Sequence, residues 1–266
     1  MPQPWKPTPA IQATIATHLA AGLGLLVAPA HWPWAVGAIV LNQLIITTAG
    51  LLPRTTLLGP NLNRLPAAAM ARREIVLTID DGPDPEVTPQ VLDLLDAAGI
   101  KASFFCIGRL ARQYPALCRE IVVRGHDVEN HGDSHSWIFA TFGRRRMRAD
   151  IAAAQATLSG ITGRAPRFFR PTAGLRNPLL APVLAELDLQ LASWTRRPYD
   201  TQEGDPHCIL RRLTHQLAAG DILLMHDGNA ARTADGEAVI LKVLPKLLRI
   251  IEDSGLKPVT LTAALS

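Results

Sequence analysis

The run Glu74-Ile75-Val76-Leu77-Thr78-Ile79-Asp80-Asp81-Gly82-Pro83 reads as an apolar, β-branched strand ending in two adjacent carboxylates and a Gly-Pro turn. Adjacent acids repel and raise a pKa unless something positive lies between them, and a divalent cation is the simplest remedy. Side chains alternate along a strand, so Asp80 and Asp81 are expected to point apart and do different work. Fifty residues on, His131-Gly132-Asp133-Ser134-His135 offers two imidazoles at i, i+4 spacing, which predicts both on one face of a helical turn. One carboxylate and two imidazoles suit zinc or a similar divalent ion with a position open for water, while the second carboxylate stays free to handle a proton. Either motif alone reads as readily as a solvated turn, since turns are rich in Asp, Gly and Pro.

The surrounding pattern supplies the setting. Strand-like runs occur at Glu74 to Ile79, Ala102 to Ile107, His126 to Glu129, Arg167 to Phe169, Gln190 to Ser193, Asp221 to Met225 and Pro258 to Leu261. Helical patterns lie between them at Thr88 to Ala98, Leu110 to Arg124, Arg146 to Leu158, Pro178 to Leu187, Pro206 to Ala218 and Glu237 to Asp253. Gly99, Gly125, Gly160, Gly220 and Gly255 are placed as C-terminal stops. Repeated βα units predict a parallel sheet, and this many predict a barrel whose chemistry gathers at the C-terminal ends of the strands.

Five short motifs fall at such ends in this order: Thr78 to Pro83, His131 to His135, Phe169-Arg170-Pro171-Thr172-Ala173-Gly174, Trp194 to Asp200, and Ile222-Leu223-Leu224-Met225-His226-Asp227. The ordered set, from Arg73 to the C-terminus, resembles the polysaccharide deacetylase family, the carbohydrate esterases with a NodB-like domain. The resemblance implies an α/β fold, a distorted, incomplete (β/α) barrel. It also implies a metal bound by Asp81, His131 and His135: zinc, with cobalt and nickel as alternatives. Asp80 is implied as general base, with Arg170 orienting it. His226 would protonate the leaving amine, supported by Asp200. The Ala173 N–H would stabilise an oxyanion beside Pro171, and Leu224 would line the pocket for a small acyl methyl.

The departures from that pattern concern substrate. Gly132 stands where the family usually has Ser or Thr, Thr172-Ala173 replaces a Pro-Tyr pair, and Thr201 replaces a Trp. Loss of two aromatic rings strips the walls on which a sugar would stack. Arg109, Arg144, Arg145, Arg146, Arg148, Arg176, Arg196, Arg197 and Arg232 crowd the post-strand loops and predict a rim attractive to an anionic substrate or to lipid headgroups; a solvated basic helix face is the plainer reading of Arg144 to Arg148.

The N-terminal part differs in composition. Ile11 to Ala30 and Ala35 to Leu52 carry no charged residue, and each approaches the roughly 20 residues that span a bilayer. Trp5, Trp32 and Trp34 sit where interfacial aromatics belong. A membrane helical hairpin is expected; a signal peptide cleaved near Ala28-Pro29-Ala30 and a soluble helical cap are the competing readings. Lys6 before the hairpin, and Arg54, Arg64, Arg72 and Arg73 after it, put both ends in the cytoplasm of a bacterial inner membrane, with the periplasmic face as the alternative. Residues 1–66 thus form the hairpin and linker, the linker running from Asn61 to Ala71, and residues 67–266 the deacetylase domain. Cys106, Cys118 and Cys208 imply no disulfide framework. The net charge of +4 comes with no nucleic-acid motif. The expected activity is metal-dependent removal of an N-acetyl or other short acyl group from an amino sugar of a cell-envelope glycan or lipid-linked saccharide. The alternatives are a deformylase or O-deacetylase on the same site, or an inactive glycan-binding protein.

Overall fold

The computed structural model describes residues 5–266. Two apolar helices come first, α1 (Pro9–Val27) and α2 (Trp32–Leu51), joined by a tight turn through Pro29–His31. Thr8 caps α1 by accepting the Ile11 N–H, and a proline opens each helix at a position whose own N–H would be orphaned. The helices lie side by side, with Gln43 donating to His18 at 3.2 Å and Thr14 donating to Asn42 at 3.2 Å. Their remaining surface is apolar and open, Leu19, Leu26, Trp34 and Leu44 being exposed. Both are long and apolar enough to cross a membrane.

After a short helix, α3 (Ala67–Ala71), strands alternate with helices. They run β1 (Glu74–Asp80), α4 (Val87–Ala97), β2 (Ser103–Cys106), α5 (Gly108–Gln113), α6 (Pro115–Val123), β3 (Asp127–Asn130), α7 (Arg144–Thr162), β4 (Phe168–Phe169), α8 (Leu180–Glu186) and β5 (Gln190–Leu191). The chain then continues through α9 (Pro206–Thr214), β6 (Ile222–His226), α10 (Val239–Asp253), β7 (Lys257–Val259) and α11 (Leu261–Ala264). All pairings are parallel, in the order β5-β4-β3-β2-β1-β6, with β7 joined to the first half of β1. The sheet curls into a half-barrel. Its remaining gap is bridged by single-residue pairings, Leu62 with Ala192 and Arg196 with Leu223, rather than by another strand.

Alternation along β1 divides the interior. Ile75, Leu77 and Ile79 face outward and pack with Val91, Leu95, Val243 and Leu247 of α4 and α10, each buried side chain contributing about 1.5–3 kcal/mol. Thr78 and Asp80 face inward. Helix α9 starts where Asp205 accepts the His207 N–H and Pro206 takes the first helical position.

Three local expectations are corrected. The helix expected over Leu110 to Arg124 is two helices, because Pro115 cannot continue the first and opens the second. Gly160 stops nothing: α7 runs on to Thr162 and ends at Gly163, whose φ of 72° supplies the left-handed cap. The stretch Asn61 to Ala71 is packed rather than free, with Leu65 and Ala69 buried against Val76, Phe168 and Ile222 and with Leu62 hydrogen-bonded on both sides to the chain after β5. Its alanines serve close packing.

Candidate active site and metal centre

Asp80 closes β1 with its side chain inside the barrel, beside His226 on the neighbouring strand in register. Asp81 follows with a φ of 78°, a left-handed conformation that swings its carboxylate out of strand alternation. That turn is held from behind by Asp227, buried and accepting the Thr88 hydroxyl and the Gly228 N–H. Burial pushes the Asp227 carboxyl up to about 7, against those hydrogen bonds. Gly228 must be glycine, since a Cβ there would lie 2.3 Å from the Asp81 carbonyl oxygen.

Asp81 Oδ1 lies 3.1 Å from His131 Nε2 and 2.9 Å from His135 Nε2. Burial alone would raise the Asp81 pKa, but the two imidazoles beside it, when positively charged, outweigh burial and hold the carboxylate well below its ordinary range. Asn229 Nδ2 donates to the other oxygen at 3.2 Å. His131 and His135 are brought together, with ring centroids 5.0 Å apart, but not by a helical turn. They sit on an irregular loop after β3, with Gly132 at φ 77° and His135 at φ 48°. Asn130 Oδ1 accepts the Gly132 N–H, and the Asp150 carboxylate accepts the N–H groups of Asp133 and Ser134, so side chains replace the helical ladder.

The three residues fit a divalent cation. Their ligand atoms lie within 4.8 Å of one another. The Nδ1–H of His131 donates to the Arg170 carbonyl at 2.7 Å, which fixes the tautomer and leaves Nε2 as the ligating atom. The carboxylate and two imidazole nitrogens are donors that zinc, cobalt or nickel accept.

Arg170 is fully buried and every arm is engaged. Nη1 donates to Asp80 at 2.6 Å and to Thr78 Oγ1 at 2.9 Å, Nε to the Ala192 carbonyl, and Nη2 to the Ser193 carbonyl. The guanidinium also lies over the Phe105 ring at 4.0 Å. Asp80 is therefore fixed with one oxygen on Arg170 and the other 3.9 Å from His131 Nε2. On β6, beside Asp80, His226 Nδ1 meets Asp200 Oδ1 at 2.7 Å, and its backbone N–H donates to the second Asp200 oxygen at 2.9 Å. Burial lowers the His226 pKa, but the charge and hydrogen bond of Asp200, with Asp80 and Asp81 behind it, raise it to about 9.

Pro171 and Thr172 are buried, and Ala173, half-buried, takes a φ of 55° at the turn after β4. Leu224 is 2% exposed, on the same side of β6 as His226 and opposite Thr78. The arginine rim is corrected in part. Arg144 and Arg148 pair with Glu186, Arg196 with Asp221 and Arg232 with Glu86, while Arg146 lies over Phe142. These acids come from other elements, so sequence proximity hides them.

Several residues at the site carried no motif. Trp137, 79% exposed, sets its indole edge-on to His135 at 6.1 Å between centroids and restores an aromatic surface at the metal end. Its signal was position alone, two residues past His135. Asp150 and Asn229 act through hydrogen bonds, to the loop of His131 and His135 and to Asp81, that sequence position alone does not reveal.

The family model for polysaccharide deacetylases matches residues 67–192. The chain is 33% identical over 175 residues to a peptidoglycan-N-acetylglucosamine deacetylase of Bacillus cereus, spanning 65% of this chain and 81% of that protein. It is likewise 33% identical over 155 residues to a chitooligosaccharide deacetylase of Azorhizobium caulinodans, spanning 58% of this chain and 73% of that one. The crystal structure of a peptidoglycan N-acetylglucosamine deacetylase in complex with 4-naphthalen-1-yl-N-oxidanyl-benzamide is similar with a TM-score of 0.67 at 28% identity, covering 77% of this chain and 92% of that chain.

Proposed function

Because this chain belongs to the polysaccharide deacetylase family, hydrolases that cleave the linear amide of an acetylated amino sugar, we propose that it is a metal-dependent, membrane-anchored N-deacetylase acting on a glycan or lipid-linked saccharide at the bilayer surface. The observation that carries the chemistry is the convergence of Asp81, His131 and His135 beside the Arg170–Asp80 and Asp200–His226 pairs, whose Asp80 and His226 are neighbours in register. On this reading residues 67–266 are the catalytic domain, and residues 1–66 anchor it.

A divalent ion held by Asp81, His131 and His135 would polarise the amide carbonyl and acidify the attacking water. Asp80 takes a proton from that water, its ionised form favoured by the Arg170 guanidinium. The Ala173 N–H, at the mouth of the cleft, stabilises the oxygen charge that develops on the carbonyl. As the C–N bond breaks, His226 delivers its proton from Nε2 to the amine nitrogen, and Asp200 holds Nδ1 so that the ring stays oriented. One proton goes to Asp80 and one leaves His226, so amide and water become amine and acid. Leu224 limits the acyl pocket to a short chain. Pro171 fixes the turn that carries Ala173.

The hairpin supports the membrane setting. Its end is joined to the active-site turn, for the Arg176 N–H donates to the Gly50 carbonyl at 3.1 Å and a Cβ on Gly50 would meet the Arg176 carbonyl oxygen at 2.2 Å. The loop bearing Ala173 is thereby held next to the bilayer end of α2. Cytoplasmic placement follows from the arginines after the hairpin.

The test is product analysis. Full-length protein in detergent micelles is given matched N-acetyl, N-formyl and O-acetyl amino sugars, free and lipid-linked; acetate release from the N-acetyl substrates supports the reading. Preferential formate or O-acetyl release would replace it with the corresponding alternative.

A further inference from the structure

Where α2 enters the catalytic domain, the chain from Leu52 to Thr55 and the chain from Trp194 to Tyr199 enclose a cavity of about 490 Å³. It is lined by Leu52, Pro53, Arg54, Thr55, Trp194, Thr195, Arg197 and Tyr199, two cations and no acid. A second cavity of about 480 Å³ adjoins it through Thr195, Arg197 and Tyr199 and adds Arg211 and Arg212, again without an acid.

The guanidinium of Arg197 is prepared for a ligand the protein does not provide. Its Cζ lies 5.3 Å from the Trp194 ring centroid and 4.8 Å from that of Tyr199, so it is held by two aromatic faces. It forms no ion pair among the described residues, and its Nε is buried without a hydrogen-bond partner. A buried unpaired donor costs about 1–3 kcal/mol and calls for an explanation. Tyr199 is kept in place at φ 63°, a left-handed conformation that non-glycine residues hold only where the surroundings impose it. Arg54 spends one nitrogen on the Thr195 carbonyl at 3.2 Å and likewise meets no acid among the described residues. Arg176, buried with its own unpartnered Nε, reaches the Thr55 carbonyl from behind. Three positive groups without counter-charge therefore surround the point where the membrane helix meets the domain.

That point is also one ring away from the catalytic centre. The Trp194 ring centroid lies 5.7 Å from the Arg170 guanidinium and 5.3 Å from that of Arg197. A planar fork of donors stacked on two rings matches the oxygens of a phosphate, and a site at the end of a membrane helix meets phosphates carried by lipids.

We propose that this cavity binds the phosphate of a glycosyl phosphate substrate, Arg197 and Arg54 gripping the oxygens while the sugar projects toward Asp80 and His226. The inference rests on the reading that the substrate is lipid-linked and specifies the group that is recognised. Trp194 neighbours an arginine of each site, Arg170 at the catalytic centre and Arg197 in the cavity. The carrier is a lipid, since Leu52 continues the apolar end of α2 into the cavity wall.

The test compares three substrates with the metal-loaded full chain in micelles: N-acetylglucosamine linked through phosphate to a polyprenol, water-soluble N-acetylglucosamine 1-phosphate, and neutral chitotetraose. Arg197→Gln and, as an exposed and fold-neutral second variant, Arg54→Gln are expected to lower kcat/KM for the polyprenyl phosphate substrate at least about tenfold more than for chitotetraose, mostly through KM. An equal selective loss on the soluble glycosyl phosphate assigns recognition to the phosphate itself, and a loss confined to the polyprenyl substrate assigns it to the phosphate presented on a lipid. If the wild type turns over the polyprenyl substrate and neither variant changes its preference, the site is refuted while the lipid-linked reading stands. If the wild type cleaves only chitotetraose, the lipid-linked reading is refuted and the phosphate site falls with it. An equal loss in Arg249→Gln, an exposed arginine on α10, reduces the effect to overall charge and also refutes the site.

Discussion

Asp200 holds His226 by both of its oxygens, one on Nδ1 at 2.7 Å and one on the backbone N–H at 2.9 Å, so the ring can neither turn nor change tautomer. The same carboxylate is the main reason His226 stays protonated up to about pH 9 in spite of burial. The donor form is present below that value and lost as pH rises through it. A cation at Asp81 adds positive charge nearby, so the alkaline limb of activity lies at or below about 9. Asp200→Asn removes the raising influence and leaves burial, which lowers the pKa. We expect the alkaline limb of kcat/KM to move at least about one unit toward acid, read from pH–rate profiles. The pair also contributes stability that is complete below about 6.5 and lost through about 9, so the melting-temperature gap between wild type and variant narrows at high pH.

Arg170 pairs with Asp80 in the barrel interior, where both side chains are buried and only the second Asp80 oxygen turns toward the His131 side of the site. Arg170→Met leaves a buried carboxylate unpaired, which costs about 3–5 kcal/mol in comparable deletions. Denaturant unfolding should register that loss, and residual folded protein should lack deacetylase activity. Arg170→Lys restores the charge but not the contacts to Ala192 and Ser193, and should recover stability only in part.

Trp137 is 79% exposed, so it adds little to the fold, yet it flanks His135, one of the three proposed metal ligands. A sugar ring stacked on the indole gains about 0.5–1.5 kcal/mol. Trp137→Ala should raise KM about threefold to tenfold on an oligosaccharide, with kcat and melting temperature nearly unchanged. A fall in kcat alone would assign Trp137 to placing His135.

Gly228 packs its Cα against the Asp81 backbone. Gly228→Ala forces that backbone to shift, an overpacking cost of about 1–3 kcal/mol concentrated on a ligand. Metal affinity, measured by competition with a chelator, should fall at least about tenfold, by more than the loss of stability accounts for.

Much of the fold was legible because its signals are local. All seven strands lie where apolar β-branched or aromatic runs place them, and each of the five motifs falls at or just past a strand end. Asp81, His131 and His135 converge as their residue types suggest. What the chain hid was decided by distant partners. The two histidines were assigned to a helical turn because spacing carries no information about Asp150, which holds the loop open sixteen or more residues away. Arg144, Arg148 and Arg196 looked like part of an open rim because their partners, Glu186 and Asp221, are remote in sequence. Leu62 and Leu65 read as linker because their packing partners lie on β1, β4 and β6, more than ten residues away.

The central claim is that acyl transfer to water depends on a cation held by Asp81, His131 and His135. The most direct measurement pairs metal content with acetate release for wild type and Asp81→Ala, each purified, assayed, stripped with chelator and reloaded. The account predicts one divalent ion per wild-type chain, acetate release lost on stripping and regained on reloading, and neither ion nor acetate from Asp81→Ala. Acetate release from an Asp81→Ala protein that carries no metal would contradict it.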